Sequence, residues 1–394
     1  MKPHAPTPRS PSSSGRPAGT DGRGLYHLVV DRFLLLPLGS LIALVWANTA
    51  GDSYFRFAHA LAFLVNQVGM AFFLALVAQD VREAVMPGGT FYTWRRWTVP
   101  LLAASGGFAG AAGVYLAYAA LAHQTVLNPG WPIACAVDIA AAYYVLRLVT
   151  RRRSVLAFLV LTAAATDVGA LLVAAVFPPF GSIDPTSLAL LAGALGVAWF
   201  FRRIGRYGFW PYLLVAGPLA WTSLYLAGLP PALALVPLVP FLPRRARTEV
   251  FADPEPDDSV HRTEHEWHLG VQVVLFFFGL VNAGVILRGI DTGTWAILAG
   301  ALVGRPLGIV AATGAAVAVG LKLPRGLGWR EVLVAALATT SGFTFALLLT
   351  VGLLPVGSVL SQIKLGALLT AVGAGATLVV GHWLRLDRSR DISR

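Results

Sequence analysis

The chain is short of charge, and that shortage says most about its class. Only 12% of its 394 residues are Asp, Glu, Lys or Arg, where a soluble domain carries about a quarter. Hydrophobic residues make up 56% and the mean hydropathy is +0.69, which excludes an ordinary water-soluble domain and implies a membrane protein. A single cysteine, Cys135, excludes an internal disulfide framework. Acidic residues number 19 against 30 Lys and Arg, a formal net charge of +11. The basic residues fall in short clusters between apolar blocks, with no continuous basic face, which argues against a nucleic-acid partner. No GxxxxGK[ST] phosphate loop is present, so an ATP-driven pump is not expected. No histidine lies deep in an apolar block, which leaves a membrane-embedded enzyme without a nucleophile–base pair. Neither an enzyme nor a cofactor is expected.

What the chain does have is a succession of apolar blocks, rich in Gly and Pro as membrane helices tolerate. Twelve can be placed, at about 33–48, 57–79, 98–122, 131–149, 154–177, 186–201, 208–227, 229–243, 268–287, 294–319, 331–353 and 363–385. Runs of roughly 15–25 apolar residues are long enough to cross a bilayer as helices, and a β-barrel would instead show alternating ten-residue segments. Residues 1–30 form a polar Ser/Pro/Gly/Arg tail, 31–385 the membrane domain and 386–394 a second tail. The first tail is read as disordered and not as a cleaved signal. Lys and Arg on alternate sides of the spans divide 26 to 3, with Arg305 inside a span. Both termini are therefore expected in the cytoplasm of a cell-membrane protein.

Of all the formal charges, only Asp138, Asp167 and Arg305 fall well inside apolar spans. Each costs a few kcal/mol at a helix centre, so a functional site is the first reading and a buried ion pair holding the bundle the alternative. Asp138 follows a helix start crowded by Pro129, Gly130 and Pro132, and Arg305 is flanked by Gly304 and Pro306. The uncharged stretch around Thr339, Thr340, Ser341, Gly342 and Thr344 invites an unwound turn with exposed carbonyls. Paired interrupted helices bring positive and negative helix ends to the midplane of a transporter. An aspartate and an arginine there can neutralise those ends. That gives Asp138 and Arg305 a balancing role and leaves Asp167, preceded by Thr166, to bind a cation and a proton by turns.

The stretches GWPIACAVDIA, FLVLTAAATDVGALL, RTEHEWH, LVNAGV, GALVGRPLGIV, SGFTF and KLGALL resemble, in order and spacing, the NhaA-type sodium/proton antiporters. The resemblance runs over about residues 30–385. For that family inverted three-helix repeats are an established architecture. It implies an all-α polytopic membrane fold of about twelve helices, with repeats near spans 3–5 and 10–12 and two broken helices, spans 4 and 11, that cross. Val137, Thr340, Gly342 and Thr344 would lie in or beside the broken turns. It implies Na⁺ and H⁺ as the exchanged ions, with Asp167, Asp138 and Thr166 as the ion- and proton-binding residues and Arg305 as the balancing charge. A homodimer is a further implication, although the segment NTAGDSYFRFAH looks short for the hairpin that joins such dimers.

Three positions depart from the best-known members: Thr166 stands where they have a second aspartate, Arg305 where they have a lysine, and Val137 where they have a threonine. Arginine stays protonated and carries no proton, so Asp167 is left as the shuttle and exchange is expected to be electroneutral. The readings left open are an ion-coupled carrier of an organic anion and a homologue that does not transport. At the cytoplasmic mouth, Glu264, His265 and His268, with Asp80 at the end of span 2, are read as pH-responsive, or else as solvated helix ends.

Overall fold

The computed structural model describes residues 35–85, 94–176, 186–205, 210–242, 261–287, 290–324, 326–354, 357–384 and 386. Within them the regular structure is all helical, with no strand. In a bilayer every backbone polar group must be satisfied internally, and a helix does this within its own segment.

Helix α1 (Leu35–Thr49) is joined to α2 (Gly51–Phe63) by the single residue Ala50, and α2 continues through a π turn, Leu64–Gly69, into α3 (Met70–Val85). The turn between the first two spans is therefore too short for a hairpin. Helix α4 (Trp94–Leu121) is followed by α5 (Trp131–Ala134), α6 (Ile139–Val149), α7 (Arg153–Val176) and α8 (Leu188–Arg203). A π turn at Tyr212–Ala216 leads into α9 (Gly217–Leu226). The Pro-rich eighth block forms two 3₁₀ segments, Pro231–Leu233 and Val236–Phe241, and no α-helix. Prolines supply no N–H to an α-helical ladder, so its last carbonyls need outside donors. Arg82 Nη1 donates to Val239 O at 2.8 Å and Leu242 O at 2.9 Å, and Arg202 donates to Pro240 O.

Helix α10 (His261–Asn282) is followed by an irregular run, 283–287. Tyr54 Oη holds that end, donating toward Leu280 O and Val281 O and accepting from Gly284 N, each at 3.0 Å. Helix α11 (Thr292–Leu298) passes through a π turn, Ala299–Gly304, into α12 (Arg305–Ala318). The last elements are α13 (Trp329–Ala338), α14 (Phe343–Leu353), α15 (Ser358–Leu369) and α16 (Val372–Trp383). Among the described residues, four continuous helices are long and apolar enough to cross a membrane: Gly51–Gln79, Trp97–Leu121, Thr292–Ala318 and Ser358–Trp383. The pair α13 and α14 spans with them but is bent by 43° at its break.

The two halves meet where α4 packs along α12. Gly106 and Gly110 on α4 face Gly308 on α12 and Gly304 just before it. A Cβ at Gly110 would run into Gly304 O, one at Gly304 into Gly110 O, and the pair Gly106 and Gly308 block each other in the same reciprocal way. Small residues four apart let helix backbones approach closely in a membrane, where dispersion and not hydrophobicity holds helices together. Gly113, one turn further on, has nothing within 4 Å of its would-be Cβ.

This contrast yields a stability prediction. Gly110→Ala should destabilise the detergent-solubilised protein by about 1–3 kcal/mol through overpacking, whereas Gly113→Ala should be neutral or stabilise it by up to about 1 kcal/mol. Thermal unfolding of the two variants checks it, and equal melting temperatures would remove the glycine contact from the account.

Candidate functional site

The site lies where the two interrupted spans cross. Between α5 and α6 the chain is unwound at 136–138, and between α13 and α14 at 341–342. Asp138 N donates to Ser341 O at 2.8 Å, tying one break to the other. A Cβ on Gly342 would collide with Ala136 O, so only glycine permits this approach. Each break leaves orphan carbonyls at the end of one half-helix and orphan N–H groups at the start of the next.

Arg305 answers the carbonyls. It is the largest fully buried side chain, 1% exposed. The π turn Ala299–Gly304 ends immediately before it. Its Nη2 donates to Ala134 O at 2.5 Å and to Ala136 O at 2.6 Å, and its Nη1 donates to Thr339 O. The carbonyl ends of α5 and α13 therefore share one guanidinium. The planar, multiple-donor geometry of arginine suits this, where a lysine would offer a single nitrogen.

Asp138 answers the opposite ends. It is the N-cap of α6, with Oδ1 accepting from Ala141 N at 3.0 Å. Its Oδ2 accepts from Thr344 Oγ1, in the first turn of α14. The carboxylate thus spans the N-terminal ends of both outgoing half-helices, where the macrodipole favours an anion.

Asp167, on α7, is 2% exposed. Its Oδ1 accepts from Val137 N at 2.8 Å, while Oδ2 is buried without a hydrogen-bond partner. No direct ion pair joins Asp167 to Arg305 among the described residues. One peptide unit lies between them instead: Arg305 donates to the Ala136 carbonyl, and the N–H of the same peptide, on Val137, donates to Asp167. Thr166, 3% exposed, donates its hydroxyl to Thr162 O at 2.8 Å, leaving its lone pairs uncommitted.

Of the residues named from the sequence, Asp138, Asp167, Arg305, Val137, Gly342 and Thr344 are brought together at the crossing, whereas Thr166 bonds within its own helix. Thr340 lies at the same break, its hydroxyl donating to Leu337 O at 2.7 Å. Sequence reasoning misses Gly107, where a Cβ would run into Ile309 Cγ1 at 2.7 Å, and Thr370, whose Oγ1 accepts from Gly342 N at 3.3 Å. A glycine that makes room leaves no mark in one sequence, and a threonine near the middle of an apolar helix looks like any other. The pH-responsive readings of Glu264, His265, His268 and Asp80 fall on side chains outside the described residues.

A buried carboxylate with one open oxygen, beside interrupted crossed helices in an apolar helical bundle, defines the class: a membrane transporter of the broken-helix kind. The comparisons with known proteins narrow it. Residues 31–381 match the family described as Na⁺/H⁺ antiporter 1. The Na⁺/H⁺ antiporter NhaA of Desulfitobacterium hafniense (strain DSM 10664 / DCB-2) is 38% identical over 370 residues, covering 90% of this chain and 95% of the relative. That of Geotalea uraniireducens is 38% identical over 357 residues, covering 87% and 92%. The solved sodium proton antiporter MjNhaP1 of Methanocaldococcus jannaschii shares the fold at a TM-score of 0.50 and 17% identity, covering 92% of this chain and 95% of its own. The chain belongs to the Na⁺/H⁺ antiporter 1 family.

The guanidinium's role gives a second prediction. Arg305→Met should leave three carbonyls and a buried anionic region uncompensated and cost about 3–5 kcal/mol, as when one member of a buried charge network is removed. Arg305→Lys, which keeps the charge and fewer donors, should cost less. Denaturant unfolding in detergent measures both, and a Met variant as stable as the parent would contradict the assignment.

Proposed function

We propose that the protein is a sodium/proton antiporter of the cell membrane, with both termini cytoplasmic, exporting Na⁺ and also Li⁺ in exchange for external H⁺. The observation that carries this reading is Asp167, a buried carboxylate with one oxygen held by the backbone and the other open. Ionised, it offers Na⁺ an anionic oxygen, with the Thr166 hydroxyl as a second oxygen of the right hardness for an alkali cation. Protonated, it is neutral and releases the cation. Competition between the two ligands for one oxygen is the coupling.

The stoichiometry follows from which charges can change. The Arg305 guanidinium stays protonated at physiological pH, and both oxygens of Asp138 accept hydrogen bonds at the crossing. Asp167 is then the one group that exchanges its partner. Proton-loaded and sodium-loaded carriers have the same net charge, so exchange is one for one and electroneutral. Arg305 and Asp138 hold the half-helix ends in both loaded forms. Regulation by pH falls to Glu264, His265, His268 and Asp80 at the cytoplasmic mouth. A homodimer of this chain would form without a hairpin between the first two spans, since Ala50 alone joins α1 to α2.

Proteoliposomes with an imposed pH gradient test the reading. Added Na⁺ or Li⁺ should collapse the gradient, Asp167→Asn should abolish the collapse, and the initial rate should be the same with and without a valinomycin-set potential. A rate that follows the potential would refute one-for-one exchange. Collapse that survives in Asp167→Asn would refute the role of Asp167.

A further inference from the structure

The two breaks are held in parallel ways, and only one of the two holding groups has a part in the exchange described above. In the first break the N–H of the Ala136–Val137 peptide donates to Asp167 Oδ1 on α7, at 2.8 Å. In the second the N–H of the Ser341–Gly342 peptide donates to Thr370 Oγ1, at the end of α15, at 3.3 Å. Asp167 lies 30 residues beyond the N–H it accepts and Thr370 lies 28 beyond. Asp167 and Thr370 thus occupy matching stations on the helices that follow the two broken spans. One half carries a carboxylate there and the other a hydroxyl.

Thr370 is 2% exposed, and its hydroxyl hydrogen is already directed to Ala367 O at 2.6 Å. Its oxygen can therefore serve Gly342 only as an acceptor, with a fixed direction. The Ser341–Gly342 peptide that it holds also accepts, through Ser341 O, from Asp138 N at 2.8 Å. One residue before Asp138 stands Val137, whose N–H holds Asp167. Thr370, the second break, the first break and Asp167 are thereby connected in series by three hydrogen bonds. Such bonds strengthen one another in a low-dielectric interior, and an unmet buried donor there is costly.

We propose that Thr370 is a positioning residue for the ion exchange, fixing the Ser341–Gly342 peptide and, through Asp138 N and Val137 N, the placement of the Asp167 carboxylate. The proposal rests on the reading of Asp167 as the exchange site. Without the hydroxyl, Gly342 N–H has no acceptor, the second break loosens, and Ser341 O no longer meets Asp138 N in one fixed place. Thr370 does not touch the cation. Its loss should therefore weaken apparent cation affinity while some exchange through Asp167 survives.

The test is Na⁺-dependent gradient collapse in proteoliposomes for the parent, Thr370→Val, Thr370→Cys and Thr370→Ser, each scaled to the protein reconstituted. Thr370→Val keeps the shape and removes the acceptor, and should raise the apparent KM for Na⁺ by about fivefold or more, the scale of one orphaned buried donor. Thr370→Cys, with a weak acceptor, should fall between Val and the parent and stands in if the Val variant does not accumulate. Thr370→Ser should return KM to the parent value. Parent-like KM in Val or Cys would overturn the proposal, as would equal KM changes in Ser and Val, since a packing role would make them so. A parent protein that shows no Na⁺-dependent collapse would overturn the antiport reading and this proposal with it. An active parent beside a parent-like Val variant would overturn the positioning role alone.

Discussion

A single peptide unit, Ala136–Val137, carries the constraint on which the rest of the site depends. Its carbonyl takes a hydrogen bond from Arg305 and its N–H gives one to Asp167. The peptide dipole lies between a cation and a carboxylate and is aligned by both. This arrangement keeps the two charges in communication without a direct contact. A direct pair would occupy both carboxylate oxygens or neutralise the site permanently. An intervening amide leaves Oδ2 open. Because the amide belongs to an unwound turn, it exists only where the helix is interrupted, which is why the break and the site coincide.

Holding Arg305 at that depth is the task of the helix pair α4 and α12. Close approach at Gly106 and Gly110 against Gly304 and Gly308 brings the start of α12 to the crossing, and Gly107 leaves space for Ile309, one turn beyond Arg305. A π turn ends at Gly304, immediately before Arg305. A buried guanidinium is expensive in hydrocarbon. Here it is offset by three carbonyls that would themselves be orphaned without it. Arg305 and the broken helices are therefore mutually dependent, and neither has a low-energy alternative in the bilayer.

Much of this was legible in the residues alone. Charges inside apolar blocks are rare enough that Asp138, Asp167 and Arg305 stand out at once, and Gly342, in its run of small polar residues, invites the turn where a helix gives way. The balancing roles of Arg305 and Asp138 were read from the polarity of helix ends; in the structure Arg305 donates to carbonyls at both breaks and Asp138 accepts at the start of both outgoing half-helices. What was not legible has a common cause: it depends on distances between segments far apart in sequence. The reciprocal glycines of α4 and α12 look like ordinary small residues of membrane helices. Thr370 sits near the middle of an apolar span, and nothing local distinguishes it. That the eighth block would fold as 3₁₀ segments was also hidden, because its closure relies on Arg82 and Arg202 from other elements.

The departures at Thr166 and Arg305 make the site simpler than a two-carboxylate one. On the proposed reading Asp167 exchanges its partner while Arg305 keeps its charge, and the Ala136–Val137 amide lies between them. The most direct test replaces that amide with an ester by incorporating the hydroxy-acid analogue of valine at position 137. This removes the N–H that Asp167 accepts and weakens the Ala136 carbonyl that Arg305 contacts, with no change in any side chain. The account predicts a clear loss of apparent Na⁺ affinity in proteoliposomes, while an ester at Leu195, on α8 and away from the crossing, leaves affinity unchanged. Parent-like Na⁺ dependence in the Val137 ester would contradict the claim that this peptide holds the site together.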